Sequence, residues 1–266
     1  MFHIRGISDC DFPANRKTLD HVQVILKTQF PSLSEDDVNT FRKHLTDPPV
    51  LSHPTLYAAC DPDDNVLGFA LLLHFTDLNF YFLEYLSAAK DKTGNGLGGA
   101  LYETVRRNAA STNPSGLFFE CLPDDPALCH DAETLKCNTA RLRFYEKHGA
   151  RPIINTKYET ILDAEDDNPP YLVYDDIGLA KTLGRDTARS VVKAILERKY
   201  ADICSPEYVE KVVSSLTDDP IKLREPRYAP TPEKVTLSSY QTVPVQYPPL
   251  PSHALQVLGA FKTPGL

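Results

Sequence analysis

The feature that most restricts this chain is a run of glycines at residues 94–99, where Gly94, Gly96, Gly98 and Gly99 fill four of six positions. The run follows an aromatic, apolar stretch at 79–89 and leads into Leu97, Ala100, Leu101 and Val105, which share one face of a helix. Glycine lets the backbone turn sharply and lets amide N–H groups come close to an anion. A helix N-terminus adds donors without intrahelical partners and the positive end of a dipole. Strand, glycine loop and helix in this order make a phosphate cradle; the plainer reading of the same residues is a tight turn with no ligand. No Gly-Lys-Ser/Thr ending is present, which excludes the P-loop. The segment also follows a fourth strand rather than a first, and no acidic residue closes a following strand about 20 residues on, which argues against the dinucleotide fingerprint.

Around this run the chain alternates short strands and helices. Strands are expected at 2–8, 55–60, 66–75, 79–89, 117–122, 151–162 and 171–175. Helices are expected at 17–28, from Ser34 to about 46, 97–110, 135–148 and 186–199, with another opened by Ser205-Pro206. The stretch at 79–89 is apolar on both faces, as a central covered strand should be. Gly149 stands where a left-handed helix stop is wanted. From Pro220 onward lie nine of the 22 prolines, which marks an irregular, extended tail.

Composition narrows the function classes. The 266 residues carry a formal net charge of -8, which disfavours a nucleic-acid or anionic-membrane binder and leaves room for cationic substrates. The longest apolar run, 66–73, is far short of the ~20 residues that span a bilayer. The first 24 residues hold no continuous apolar stretch, so no secretory signal is expected. The six cysteines form no Cys-x-x-Cys pair, so reduced thiols, a cytoplasmic setting and no metal are expected.

Two segments carry a family resemblance. Leu86, Ser87 and Ala88, followed by Lys92, Thr93, Gly94, Asn95, Gly96, Leu97, Gly98 and Gly99, resemble motif A of the GNAT superfamily of acyl-CoA-dependent N-acyltransferases. That motif reads Gln/Arg-x-x-Gly-x-Gly/Ala. Downstream, Asn138, Ala140, Phe144, Tyr145 and Gly149 are similar to its motif B. The resemblance covers about 1–177. It implies a GNAT-like α/β (α+β) fold: a mixed, mostly antiparallel central sheet with one splayed parallel pair, 79–89 beside 117–122, and helices on both faces. It also implies acetyl-CoA as cosubstrate, held by Leu86–Ala88, by the glycine loop and by Asn138 and Tyr145. Thr93 stands where the family has Gln or Arg, so the pyrophosphate grip would rest on backbone N–H groups with help from Lys92. A backbone N–H near Leu86 would polarise the thioester carbonyl.

An amine must shed its proton before it can attack, and for a lysine-like amine at pH 7 this costs about 4.6 kcal/mol. Glu84, in the otherwise apolar series Phe80, Phe82, Glu84, Leu86, is a candidate base; the other reading is a structural ion pair. Glu120, on the neighbouring strand, is a second candidate base. Tyr145, by its motif position, would protonate the departing thiolate. Arg106, Arg107, Lys136, Arg141 and Arg143 are candidate phosphate contacts, or solvated helix residues. Six acidic residues, Asp163, Glu165, Asp166, Asp167, Asp175 and Asp176, stand in a stretch without a basic one. By the resemblance this loop borders the acceptor end of the cleft, which points to a small cationic amine or a lysine-like group. The expected organisation is a GNAT-like domain at 1–177 and a C-terminal extension at 178–266. The reaction would be direct transfer in a ternary complex, with room for a homodimer. The rival reading is a non-catalytic acyl-CoA-binding module whose extension binds a protein partner.

Overall fold

A computed structural model describes residues 2–7, 12–31, 33–47, 51–89, 96–158, 169–201 and 203–228. The chain divides into two compact units, the first through Thr112 and the second from Asn113. The first holds β1 (His3–Ile7), α1 (Pro13–Gln29), α2 (Glu35–Thr46), β2 (Ser52–Cys60), β3 (Val66–Phe75), β4 (Phe80–Ala88) and α3 (Leu97–Ala110). The second holds β5 (Leu117–Cys121), α4 (Ala132–Glu146), β6 (Arg151–Pro152), β7 (Tyr171–Asp175), α5 (Arg185–Arg198) and α6 (Pro206–Ser215).

In the first unit the strands run β1-β2-β3-β4, each antiparallel to its neighbour. Helices cover both faces. Phe69 on β3 meets Phe41 of α2, while a Cβ on the preceding Gly68 would touch Leu97 of α3. Successive strand residues point to opposite faces, so α2 and α3 lie on opposite sides of the sheet. Leu19, Val22 and Leu26 of α1 and Leu101, Tyr102 and Val105 of α3 are fully covered, whereas Val24, on the expected apolar stripe of α1, is 63% exposed.

β4 departs from a regular strand at one residue. Leu83 pairs with Leu72 and Tyr85 with Leu71, so Glu84 stands between two partners that are adjacent on β3. This is a β-bulge, with one extra residue on the central strand. Side chains directly opposite share a face. Phe82, opposite Leu73, and Leu86, opposite Ala70, therefore lie on opposite faces. The expected single face Phe80, Phe82, Glu84, Leu86 is broken at Glu84.

In the second unit the order is β5-β7-β6, all antiparallel. Phe119 of β5 meets Tyr145 of α4, and its neighbour Glu120 meets Tyr200 beyond α5, so these helices cover opposite faces. Local chemistry sets the helix starts: Asp131 caps α4 by accepting from Thr134 N–H at 2.8 Å, and Ser205 caps α6 by accepting from Tyr208 N–H at 3.2 Å. Gly149 follows α4 at φ +93°, a conformation open to glycine. The expected strand at 151–162 shrinks to two residues. Ile153 N–H still reaches the Leu172 carbonyl at 2.8 Å, Ile153 and Ile154 also pair with residues 222–223, and Asn155 at φ +60° then turns the chain away. Residues 159–162 of that expected strand lie outside the described residues.

The second compact unit holds α5 and α6 together with β5 and β7. Glu120, Asp124 and Glu146 are all turned inward, and each finds partners between residues 199 and 228. The Pro-rich stretch beyond 228 lies outside the described residues. No helix among the described residues is long and apolar enough to cross a membrane.

Candidate active site

In the first unit the candidate residues lie on β4 and at the start of α3. Residues 80–85 of β4 are buried, whereas Leu86, Ser87 and Ala88 are half-exposed. Glu84, in the bulge, is 7% exposed. A bulge interrupts the regular spacing of ladder hydrogen bonds and redirects backbone groups locally. It falls two residues before Leu86, whose neighbourhood the resemblance assigns to the thioester carbonyl.

Gly96 is the N-cap of α3, in the left-handed conformation at φ +76°, and no side chain caps the helix. That φ is strained for any residue with a Cβ. A Cβ added at Gly96, Gly98 or Gly99 would meet no atom of the described residues within 4 Å, so among them nothing crowds the first-turn N–H groups. No acidic side chain occupies the first turn, leaving the positive dipole end for a ligand. These features fit a phosphate or pyrophosphate. Lys92, Thr93, Gly94 and Asn95 lie outside the described residues.

In the second unit, α4 carries Asn138 and Tyr145, both buried. The Asn138 amide donates to the Pro123 carbonyl oxygen at 2.9 Å, which ties α4 to the loop after β5. Among the described residues its Oδ1 has no hydrogen-bond partner. Tyr145 packs on Phe119 at 4.3 Å and on Phe144 at 5.0 Å. Burial raises its hydroxyl well above the ordinary tyrosine range, the Cys121 thiol adds to this, and Arg141 opposes it. Tyr145 therefore keeps its proton at neutral pH. Burial also pushes the Cys121 thiol up to about 12, which makes it a poor nucleophile.

Glu120 is placed differently. Strand alternation turns it to the face of β5 away from Tyr145. There it accepts from the Tyr158 hydroxyl at 2.6 Å and from the Tyr200 hydroxyl, with Lys199 Nζ 3.9 Å away. Its lone pairs are committed to this cluster, and both charged side chains are 4% exposed. Sequence spacing held no sign of these partners, since Lys199 and Tyr200 lie about 80 positions on.

The remaining candidates have structural occupations. Arg106 pairs with Glu103 at 3.2 Å, and the Arg143 guanidinium lies over the Tyr228 ring. Of the six acidic residues, Asp175 accepts from Ile177 N–H at 2.7 Å and Asp176 from Gly178 N–H at 2.9 Å, so both shape the turn after β7. Asp163, Glu165, Asp166 and Asp167 lie outside the described residues. Asp124 and Glu146 escaped the sequence reading altogether. The available signal was indirect: Arg224, Arg227 and Tyr228 interrupt the proline-rich tail with side chains that pair with buried carboxylates.

No family model and no curated protein matches this chain. Solved structures do. A GNAT-family protein from Desulfovibrio desulfuricans aligns at TM-score 0.50 and 16% identity, covering 67% of this chain and 100% of that one. Another from Bacteroides thetaiotaomicron aligns at TM-score 0.50 and 15% identity, covering 73% and 96%. The chain has the GNAT fold, a mixed α/β architecture of mostly antiparallel strands with helices on both faces.

Proposed function

We propose that this chain is an N-acetyltransferase that moves an acetyl group from acetyl-CoA to a primary amine by direct transfer. The observation that carries the reading is the start of α3: an uncapped helix N-terminus opened by glycines, following a central strand that bulges at a buried glutamate. On the GNAT fold these are the elements that the two sequence motifs assign to the cosubstrate. Acetyl-CoA supplies the activated acetyl thioester. The N–H groups of Leu97, Gly98 and Gly99 would hold its pyrophosphate, with Lys92, Thr93, Gly94 and Asn95 completing the loop. Asn138, fully covered with its amide anchored on the Pro123 carbonyl, is assigned to the cosubstrate site by its motif position.

Glu84 is the assigned base. A carboxylate in a buried stretch of the central strand can take the proton that a cationic amine must lose. Glu120, the alternative, is committed to Tyr158, Tyr200 and Lys199 on the other face of its strand, and is assigned a structural role. Tyr145 is the acid. By its motif position its hydroxyl, protonated at neutral pH, would deliver a proton to the departing thiolate, and a backbone N–H near Leu86 would polarise the carbonyl. The acceptor class is a small cationic amine or lysine-like group, supported by the net charge of -8 and the acidic stretch at 163–176. A cytoplasmic setting accords with the thiols of Cys60, Cys121, Cys129, Cys137 and Cys204, none of which is bridged.

The test is the thermal midpoint with acetyl-CoA, together with release of CoA thiol when spermidine is added. Ligand at 100 times its dissociation constant should add about 2.7 kcal/mol. Gly96→Asp places a carboxylate at the proposed anion site and should abolish the shift. Glu84→Gln should lower kcat roughly 10²–10⁴-fold. A parent protein whose midpoint ignores acetyl-CoA sinks the reading, and a Gly96→Asp variant that still binds it overturns the cradle.

A further inference from the structure

We propose that residues 221–228 form a clamp that sets the position of Asn138 and Tyr145, with Glu146 and Asp124 as positioning residues for the transfer reaction. This inference rests on the acetyltransferase reading for its kinetic consequence, but its structural part stands within the second unit alone.

The segment first docks on β6. Ile154 N–H donates to the Lys222 carbonyl at 3.0 Å, Leu223 bridges Ile153, and Arg224 N–H donates to the Pro152 carbonyl at 2.8 Å. It then crosses to α4. The Glu146 carboxylate accepts the N–H of Arg227 at 3.0 Å and of Tyr228 at 2.5 Å, while Arg143, one turn back, lies over the Tyr228 ring. Finally it reaches the loop after β5. There Asp124 accepts from Arg224 Nη1 at 2.6 Å and from the Tyr228 hydroxyl at 2.6 Å, with Arg227 Nη1 at 3.5 Å.

Both anchor points touch the site by covalent adjacency. Glu146 is the residue after Tyr145. Asp124 is the residue after Pro123, whose carbonyl holds the Asn138 amide. The anchoring is strongest where α4 would otherwise be weakest. Glu146 sits in the last turn of a helix, where the dipole disfavours an anion, and it is 3% exposed. A carboxylate in that position is tolerated because two backbone N–H groups meet it. Take them away and hydration of Glu146 favours rotating the helix end toward solvent. A helix turns about 100° per residue, so Tyr145 turns with it. Asp124, 6% exposed, fixes the other side of the same joint through three donors from the segment.

The experiment uses the full chain and three variants, Glu146→Gln, Tyr145→Phe and the double. The Gln side chain keeps one acceptor oxygen and turns an NH2 toward the other backbone N–H, so one clamp bond is lost with little change of volume. Hydrogen exchange is followed in peptides from α4 and, as control, from α5. Faster exchange confined to the C-terminal half of α4 is expected. Unchanged exchange, or an equal rise in α5, overturns the clamp. In turnover with acetyl-CoA and spermidine, Glu146→Gln should lower kcat roughly tenfold to a hundredfold. Its Kd for CoA should change far less. That loss should largely vanish in the Tyr145→Phe background, because coupled residues are not additive. An equal loss in both backgrounds refutes positioning through Tyr145. If the parent binds no CoA, the acetyltransferase reading fails, and the exchange data alone decide the clamp.

Discussion

Lys199→Met tests whether the C-terminal helices are held by charge as well as by apolar packing. Lys199 Nζ lies 3.9 Å from Glu120 Oε2, and both side chains are 4% exposed. At an effective dielectric of 20, two unit charges at that separation attract by about 4 kcal/mol. Removing the cation leaves a buried carboxylate that keeps the hydroxyls of Tyr158 and Tyr200, so part of its solvation survives. Breaking a buried pair from one side costs about 3–5 kcal/mol, and the surviving hydroxyls put this case at the lower end, about 3 kcal/mol. For a chain of this size that is a fall of roughly 6–12 °C in the thermal midpoint. Differential scanning calorimetry on the parent, Lys199→Met, and the double variant Lys199→Met/Glu120→Gln reads it directly. The double variant removes both charges and should recover most of the loss. A single variant within about 2 °C of the parent, or a double variant no better than the single, refutes the claim that the ion pair holds α5 to β5.

Three further outcomes follow from the same geometry. Gly96→Ala forces a Cβ into φ +76° and should cost about 1–2 kcal/mol, seen as a lower urea midpoint without ligand. Asp124 is pushed up by burial, but hydrogen bonds from Arg224 and Tyr228 and the charges of Arg224 and Arg227 outweigh this and hold it below the usual carboxylate range. Its stabilisation is therefore complete above about pH 4 and lost as pH falls through the depressed folded value, so Asp124→Asn should flatten the acid limb of stability measured by urea unfolding between pH 2 and 5. Tyr145, raised far above 10, should contribute no basic limb to kcat up to pH 10; a fall near pH 10 that disappears in Tyr145→Phe would refute its buried placement.

Much of the scaffold was legible because its signals are local. β3 and β7 fall on the residues that hydropathy marks, α3 starts within the glycine run, at Leu97, and Ser205 caps α6 as its residue type predicts. The two motifs located β4, α3 and α4 in the right order. What stayed hidden depends on distant partners. Nothing in the residues around Glu84 announces a bulge, because the register is a property of β3 and β4 together. The expected strand at 151–162 looked plausible locally, yet its pairing with β7 ends at Ile153 and Asn155 turns the chain away, while residues 222–223 pair alongside. The residues around Glu120 gave no sign of its partners, because Tyr158 lies 38 positions on and Lys199 and Tyr200 about 80.

That separation also orders events during synthesis. Glu120, Asp124 and Glu146 leave the ribosome early, while Tyr200, Arg224, Arg227 and Tyr228 follow 80, 100, 81 and 104 positions behind their respective carboxylates. At about 5–20 residues per second, the nascent second unit waits on the order of 5–20 s for its last counter-charges. In that interval β5 and α4 carry inward-facing carboxylates that favour water over a closed core. The first unit contains all four of its strands by Ala88, so it can complete its sheet while the second is still being made. A nascent chain arrested before residue 199 should therefore present a protease-resistant first unit joined to a digestible second one.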